Sequence, residues 1–376
     1  MVKCLVQPDD GATPLVKGIK DAKKSVDILV FRFNRSEIEK ALAEAVTRGV
    51  HVHALIASTN RGGVQNLRDL EMRLLAAGVT VSRTDNDLVR YHGKMMIVDR
   101  RVLFLLAFNF TWLDMERSRS FGIVTTNKKH VEQALKLFDA DIKRQPYTAG
   151  SGTFIVSPVN ARKQLTAFLR AARKELLIYD PEISDPAIVQ VLEARVKAGV
   201  TVRIIGKLKA RSSVLSAGGM QEKTLHMRLH TRSIVRDGSW AFVGSQSLRS
   251  AELDARREVG IIFRDPRAVA RLAKTFEEDW EVKEQPAAGA EQEKPEPVSA
   301  SKVARKVAKA VAEELPPVKP VFDLTLRELS GPVPDANLNP AAMEATVKQA
   351  VKDAVRQVVH NFVEEAAESG SAGTKA

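Results

Sequence analysis

The chain is poor in the residues that narrow a fold on their own. One cysteine, Cys4, occurs in 376 residues, which excludes an internal disulfide and any zinc site built on several thiolates. A reducing compartment is the natural setting. Aromatic side chains make up only 5% and are not interleaved with basic ones, so a stacking platform for single strands is not supported. Long hydrophobic runs are missing as well. The longest, such as Val102–Phe108, are strand-sized against the roughly 20 residues of a membrane span. Met1–Leu5 passes directly into the polar Gln7–Asp10 without the apolar stretch of a signal peptide. The expectation is a cytoplasmic protein, with peripheral membrane contact left open.

Acidic residues are also in deficit. The sequence has 58 Lys and Arg against 46 Asp and Glu, a formal charge of +12. Residues 283–376 hold 12 basic and 14 acidic side chains, so the first 282 residues carry a net +14. Such an excess suits polyanions: nucleic acid, anionic lipid headgroups or phosphorylated metabolites.

What the chain does have is a repeat. Ala22–Leu29 returns as Ala172–Tyr179 and Ala45–Val52 as Arg195–Val202, both at an offset of 150 residues. A constant offset over this length marks an internal duplication. Each copy reads as helix, strand, helix, strand. Leu15–Lys24 has helical spacing and Val26–Phe33 is a β-branched and aromatic run. Ser36 opens an amphipathic helix that Gly49 stops before the strand Val50–Ile56. The pattern predicts α/β halves with largely parallel sheets, packed face to face, with a site at the seam.

The chemistry lies late in each copy. The first has His92-Gly93-Lys94 through Asp99, then Leu106-Ala107-Phe108-Asn109; the second has His230-Thr231-Arg232 through Asp237, then Gly244-Ser245-Gln246-Ser247. These segments align at a second offset, 138. A histidine and a cation two residues apart on an extended strand share a face. An imidazole can attack phosphorus or carry a proton near neutral pH, and a neighbouring cation neutralises phosphoryl oxygens. Two such pairs at a seam suffice for covalent chemistry on a phosphodiester without a metal. One histidine attacks and the other protonates the leaving oxygen.

The doubled H-x-K-x4-D-x6-G-S-x-N pattern resembles the phospholipase D superfamily over residues 1 to about 282. The resemblance implies two phospholipase D-like α/β halves about a pseudo-twofold axis. It also implies a phosphohistidine intermediate and no metal or other cofactor. His92 would be the nucleophile and His230 the general acid and base. Lys94 and Arg232 would hold the phosphoryl oxygens, with Asn109, Ser245 and Ser247 binding substrate. Glu258 would orient a histidine, and Asp99 and Asp237 would support turns. The overall arrangement is similar to cardiolipin synthase-like proteins, which implies a phospholipid with an anionic headgroup as substrate. A nuclease acting on DNA or RNA and a degenerate phosphate-binding scaffold are the alternatives.

The departures from the pattern are specific. Leu106-Ala107 replaces Gly-Ser in the first copy, and Ser120 stands where the second copy has Glu258, leaving Asp114 and Glu116 as candidate replacements. The second copy has Arg232 for lysine and Ser247 for asparagine. His51 and His53 pair with Thr201 and Arg203 in the repeat, so a polar strand face fits better than a metal site. His226 and His230 are set aside as a metal pair because Leu88 aligns with His226. Tyr91 and Trp112 are expected in the core, and the glycine loops at 61–63 and 217–219 near the site mouth.

The expected domains are residues 1–146 and 147–282 for the halves, a flexible linker at 283–339 and an amphipathic helix at 340–368. A short basic helix within the linker, residues 301–315, is expected to be a solvated helix or a disordered segment, with contact to anionic membranes as the alternative. The apolar stripe Met343, Val347, Val351, Val355 and Phe362 suits docking on the halves, self-association or a protein partner.

Overall fold

The apolar runs become strands whose successive side chains enter two different cores. The computed structural model describes residues 2–58, 64–209 and 219–282. Strand β1 (Val2–Gln7) and helix α1 (Thr13–Asp21) precede β2 (Ser25–Val30), α2 (Ser36–Thr47) and β3 (His51–Ile56). Helix α3 (Val64–Ala76), β4 (Thr80–Arg83), β5 (Arg90–Tyr91), β6 (Met95–Val98) and β7 (Val102–Leu106) follow. Helix α4 (Trp112–Glu116), β8 (Ser118–Thr125) and α5 (Lys128–Lys143) complete this half. The second half runs β9 (Phe154–Val156), α6 (Ala161–Arg170), β10 (Glu175–Ile183), α7 (Pro186–Lys197) and β11 (Thr201–Leu208). Then come β12 (Met220–Lys223), β13 (Arg228–Leu229), β14 (Arg232–Arg236) and β15 (Trp240–Gly244). Helix α8 (Ser250–Asp254), β16 (Arg256–Arg257), β17 (Val259–Phe263) and α9 (Pro266–Glu281) close it.

The strand orders are β1-β8-β7-β6-β2-β3-β4 and β12-β11-β10-β14-β15-β17-β9. Along these two orders β2-β3-β4 and β12-β11-β10 are parallel and the remaining neighbours antiparallel. The sheets are therefore mixed, and the largely parallel expectation is corrected. Three residues join β6 to β7, whereas a parallel crossover needs about a dozen.

Met95, Ile97, Leu103 and Leu105 enter a core shared with Leu177, Tyr179, Val243 and Ile261 of the second half. Met96, Val98, Phe104 and Leu106 pack with residues of α1, α2 and α3. Leu176, Ile178, Ile234 and Phe242 do the same with α6 and α7. Burial on both faces explains why these strands read as unbroken apolar runs.

The turns repeat too. Asp99, at φ 50°, accepts from the backbone N–H groups of Lys23, Lys24 and Ser25 at 3.0, 2.6 and 3.0 Å. Asp237, at φ 52°, does so from Arg173, Lys174 and Glu175 at 3.0, 2.7 and 3.1 Å. Each aspartate thus clamps the turn leading into a central strand.

Strand β10 is bulged after Asp180, and opposite it Gly206 has φ 146°. A Cβ on Gly206 would lie 1.7 Å from the Asp180 carbonyl oxygen. Gly206→Ala is expected to cost more than about 3 kcal/mol, read from the denaturant midpoint. A loss within about 0.5 kcal/mol would show that the bulge has no such constraint.

The linker at 283–339, the basic stretch at 301–315 and the amphipathic helix at 340–368 lie outside the described residues. So do 61–63 and 217–218 of the glycine loops. Among the described residues no helix is long and apolar enough to cross a membrane.

Candidate active site

Two short strand pairings between the halves set the positions of the histidines. Strand β5 runs parallel to β16, with Tyr91 opposite Arg257, and β13 runs parallel to β8, with Leu229 opposite Arg119. His92 then donates its backbone N–H to the Arg257 carbonyl at 2.8 Å, and His230 donates to the Arg119 carbonyl at 3.1 Å. The residue after the accepting carbonyl is Glu258 in one case and Ser120 in the other. Equivalent geometry therefore brings a carboxylate to one histidine and only a hydroxyl to the other.

Around His92 the contacts are close. Its Nδ1 donates to Glu258 Oε2 at 2.9 Å, and Lys94 Nζ donates to its Nε2 at 2.8 Å. That pair of contacts selects the tautomer with the proton on Nδ1 and the lone pair on Nε2. Phe31 meets the ring edge-on with centroids 4.5 Å apart. Lys94 and Glu258 are fully buried.

His230 finds its carboxylate elsewhere. Ser120 Oγ donates to the His230 carbonyl at 2.7 Å, while Asp114 Oδ2 from α4 lies 3.3 Å from His230 Nδ1. The latter contact lacks good hydrogen-bond geometry, so Asp114 acts here by charge and proximity. Of the two candidate replacements, Asp114 reaches the histidine; Glu116 pairs with Arg35 at 2.9 Å. Asp114 also accepts from Asn109 N–H at 2.9 Å, Asn109 Nδ2 at 2.7 Å and Arg228 Nη1 at 2.6 Å.

The remaining motif residues hold these groups. Asn109 turns its amide nitrogen onto Asp114. Ser245 Oγ accepts from Val259 N–H at 3.1 Å and also steadies the Glu258 carboxylate. Ser247 Oγ accepts from Arg232 Nε at 2.8 Å. Arg232 is buried, and its Nη1 has no hydrogen-bond partner among the described residues. Asp99 and Asp237 lie at the turns described above.

Burial dominates the electrostatics. It holds both imidazoles well below the usual histidine pKa. The cations Lys94 and Arg232 reinforce this, while the Asp114 charge opposes it at His230. Burial also pushes the Lys94 ammonium down to about 7, against the pull of Glu258. Glu258 itself is raised by burial, opposed first by Lys94. Burial and the neighbouring cations thus favour the neutral imidazoles, and the Asp114 charge favours protonation of His230.

A cleft of about 890 Å³ opens on the Asp114 side of the site, lined by Asn109, Asp114 and Arg228 and by Arg32, Phe33, Leu113, Glu39 and Asp69; the two histidines, Lys94 and Arg232 are not part of its lining. Tyr91 is buried as expected, but Trp112 is 49% exposed, a correction to its expected core position. Helix α4 turns Asp114 and Met115 inward, which leaves Trp112 and Leu113 outside. His226 is exposed, and His53 Nε2 meets Ser82 Oγ at 2.9 Å, as a polar strand face would. Arg228, which pairs with Asp114, is a neighbour that motif reading missed. Arg228 aligns with Arg90 at the 138-residue offset, a signal that was available.

A duplicated α/β fold with one histidine–cation pair from each half at the seam defines the phospholipase D class. The chain belongs to the family described as cardiolipin synthase, PLD-like domain, whose signature matches residues 15–142 and again 165–280. It is 22% identical over 317 residues to cardiolipin synthase A of Pectobacterium carotovorum subsp. carotovorum (strain PC1). That match covers 68% of this chain and 64% of the relative, so the chain spans less than two thirds of the relative's length. Among solved structures it resembles phosphatidylserine synthase of Haemophilus influenzae Rd KW20, with TM-score 0.59 and 11% identity over 74% of this chain and 85% of that one. It also resembles polyphosphate kinase of Porphyromonas gingivalis, with TM-score 0.63 and 17% identity over 74% of this chain and 50% of that one. At these identities the two structures speak for the fold.

Proposed function

We propose that the protein is a phosphodiesterase or phosphatidyltransferase of the phospholipase D type, acting on phospholipids through a phosphohistidine. The observation that carries this reading is the exchange of acids across the seam: Glu258 of the second half on His92, and Asp114 of the first beside His230. A structural histidine has no need of a carboxylate on one ring nitrogen and a cation on the other.

In this mechanism His92 Nε2 attacks phosphorus, the N–P bond forms and the P–O bond to the departing alcohol breaks. His230 must first take up a proton, against burial and with the help of the Asp114 charge; as imidazolium it then gives that alcohol its proton. It then takes a proton from the incoming water or alcohol, whose oxygen displaces His92. Lys94 and Arg232 neutralise the phosphoryl oxygens, and both charges already act on the two imidazoles. Asn109, Ser245 and Ser247 contribute by fixing Asp114, Glu258 and Arg232.

The names of the relatives favour a lipid, and the cleft supplies apolar surface from Phe33 and Leu113 beside cations. The net +14 of the first 282 residues favours the second reading, a nuclease. Labelled phosphatidylglycerol vesicles and labelled single-stranded DNA, each incubated with the protein in EDTA, separate them. Phosphatidate or cardiolipin formation is expected. Cleavage of DNA alone would transfer the assignment to the nuclease, and binding of either without turnover would leave a scaffold.

Since burial brings Lys94 to about 7, its charge is present below that pH and lost above it. The kcat/KM of the free enzyme is expected to fall as pH rises through about 7. Lys94→Arg, which stays protonated, should lose the component of the fall centred near 7 and keep the fall set by His230, even if its rate is lower. An unchanged profile would assign the limb to another group.

A further inference from the structure

The second half departs from the first at three matched positions, and the structure brings the three together. Lys94 is matched by Arg232 and Asn109 by Ser247 at the offset of 138, and Val30 by Asp180 at the offset of 150. Asp180 sits at the bulge of β10, 1% exposed, where an acid interrupts an apolar strand. Its carboxylate accepts from Leu248 N–H at 2.7 Å and Glu182 N–H at 2.9 Å. Burial pushes the carboxyl up to about 6, and the Arg232 charge, the two backbone N–H groups and the Ser247 hydroxyl oppose that rise.

These substitutions make chemical sense only as a set. A guanidinium carries five N–H donors in a rigid plane, so it needs an acceptor at Nε to fix the direction of its outer edge. Ser247 Oγ is that acceptor, at 2.8 Å. A hydroxyl that receives Nε–H still has one proton to give, and Asp180 is the carboxylate beside it. A valine at 180, as at Val30, would leave that proton and the buried Leu248 N–H unanswered. With Nε anchored, Arg232 Nη1 remains buried and without a partner among the described residues. The Arg232 charge acts on His92, His230, Lys94 and Glu258 together, so the guanidinium lies amid the reacting groups.

We propose that Asp180, Ser247 and Arg232 form one anion-binding unit. Asp180 is the positioning residue: through Ser247 it aims the outer edge of the Arg232 guanidinium at the phosphoryl group. This rests on the phosphodiester reading of the site. The consequence is a division of labour between the halves. The first contributes a lysine whose charge can be lost, and the second a permanently charged fork that can grip two phosphoryl oxygens.

The test is a double-mutant cycle on the full chain with inorganic phosphate as the probe. Calorimetry gives the affinity, and thermal melting confirms that each variant is folded. Asp180→Asn is expected to weaken phosphate binding roughly tenfold when residue 232 is arginine, and to change it less than about twofold beside Arg232→Lys. Ser247→Ala, which leaves Asp180 in place, should behave in the same way and serves where Asp180→Asn does not fold. Equal weakening in both backgrounds would overturn the unit and make Asp180 a structural acid only. Wild-type protein that binds phosphate no better than Arg232→Gln would overturn the phosphate reading of the site, and the unit with it.

Discussion

His92→Ala is expected to remove phosphodiester turnover by a factor on the order of 10^4 to 10^6, because it deletes the nitrogen that attacks phosphorus. The ring is held at both ends, by Glu258 Oε2 at 2.9 Å and Lys94 Nζ at 2.8 Å, so its removal also strands a buried acid and a buried amine. Melting temperature must therefore be measured beside rate. The informative comparison is His230→Ala on two leaving groups. A departing nitrophenolate needs no proton, whereas an alkoxide does. His230→Ala should thus release one equivalent of nitrophenol in a burst and then stall, since the water that clears the phosphohistidine has lost its base. His92→Ala should show no burst with either substrate. A burst from His92→Ala and none from His230→Ala would exchange the two roles.

Much of this architecture could be read from residues alone, and the failures have physical causes. The duplication was visible because central strands buried on both faces give long apolar runs, and these recur at a fixed offset. Strand direction was not visible. Hydrophobic pattern records burial, and the run Met95–Leu106 has the same pattern whether its strands return by a hairpin or a crossover. The hairpin signal lay in Asp99, Arg100 and Arg101, of which Asp99 and Arg100 have positive φ. At the site, the two-residue spacing placed His92 with Lys94 and His230 with Arg232 on one face of the sheet, while Glu258 came from the resemblance; the structure puts Lys94 and Glu258 on the two ring nitrogens of His92. Trp112 was misread because it follows an apolar stretch, yet a helix of five residues must choose which side to bury, and it buries Asp114. Asp180 escaped notice for the opposite reason. A lone acid in a strand looks like an exposed position, and only its alignment with Val30 marks it as a buried one.

The second large effect is expected at Asp114, where the site departs furthest from its own internal symmetry. The strand position that gives Glu258 to His92 gives Ser120 to His230, and the carboxylate comes instead from α4. Asp114→Asn keeps the size of the side chain and an oxygen for the Asn109 N–H, now held at 2.9 Å, but removes the charge beside His230 Nδ1. Turnover of alkyl diesters should fall by about 10^2 to 10^4, in line with the loss of an orienting aspartate in a serine-protease triad. The distribution of the loss matters more than its size. If Asp114 works through His230, the variant should resemble His230→Ala, with a far smaller loss in the nitrophenol burst than in alkyl diester turnover. Glu258→Gln acts on the attacking histidine and should slow both about equally. The charge remaining on Arg228, 38% exposed and left without Asp114, is a possible confounder. Arg228→Gln made alongside separates it, because that variant removes the cation and leaves Asp114 beside His230. Equal losses on both substrates for Asp114→Asn would mean that the acid serves the α4 turn and Asn109, and that His230 works without a carboxylate partner.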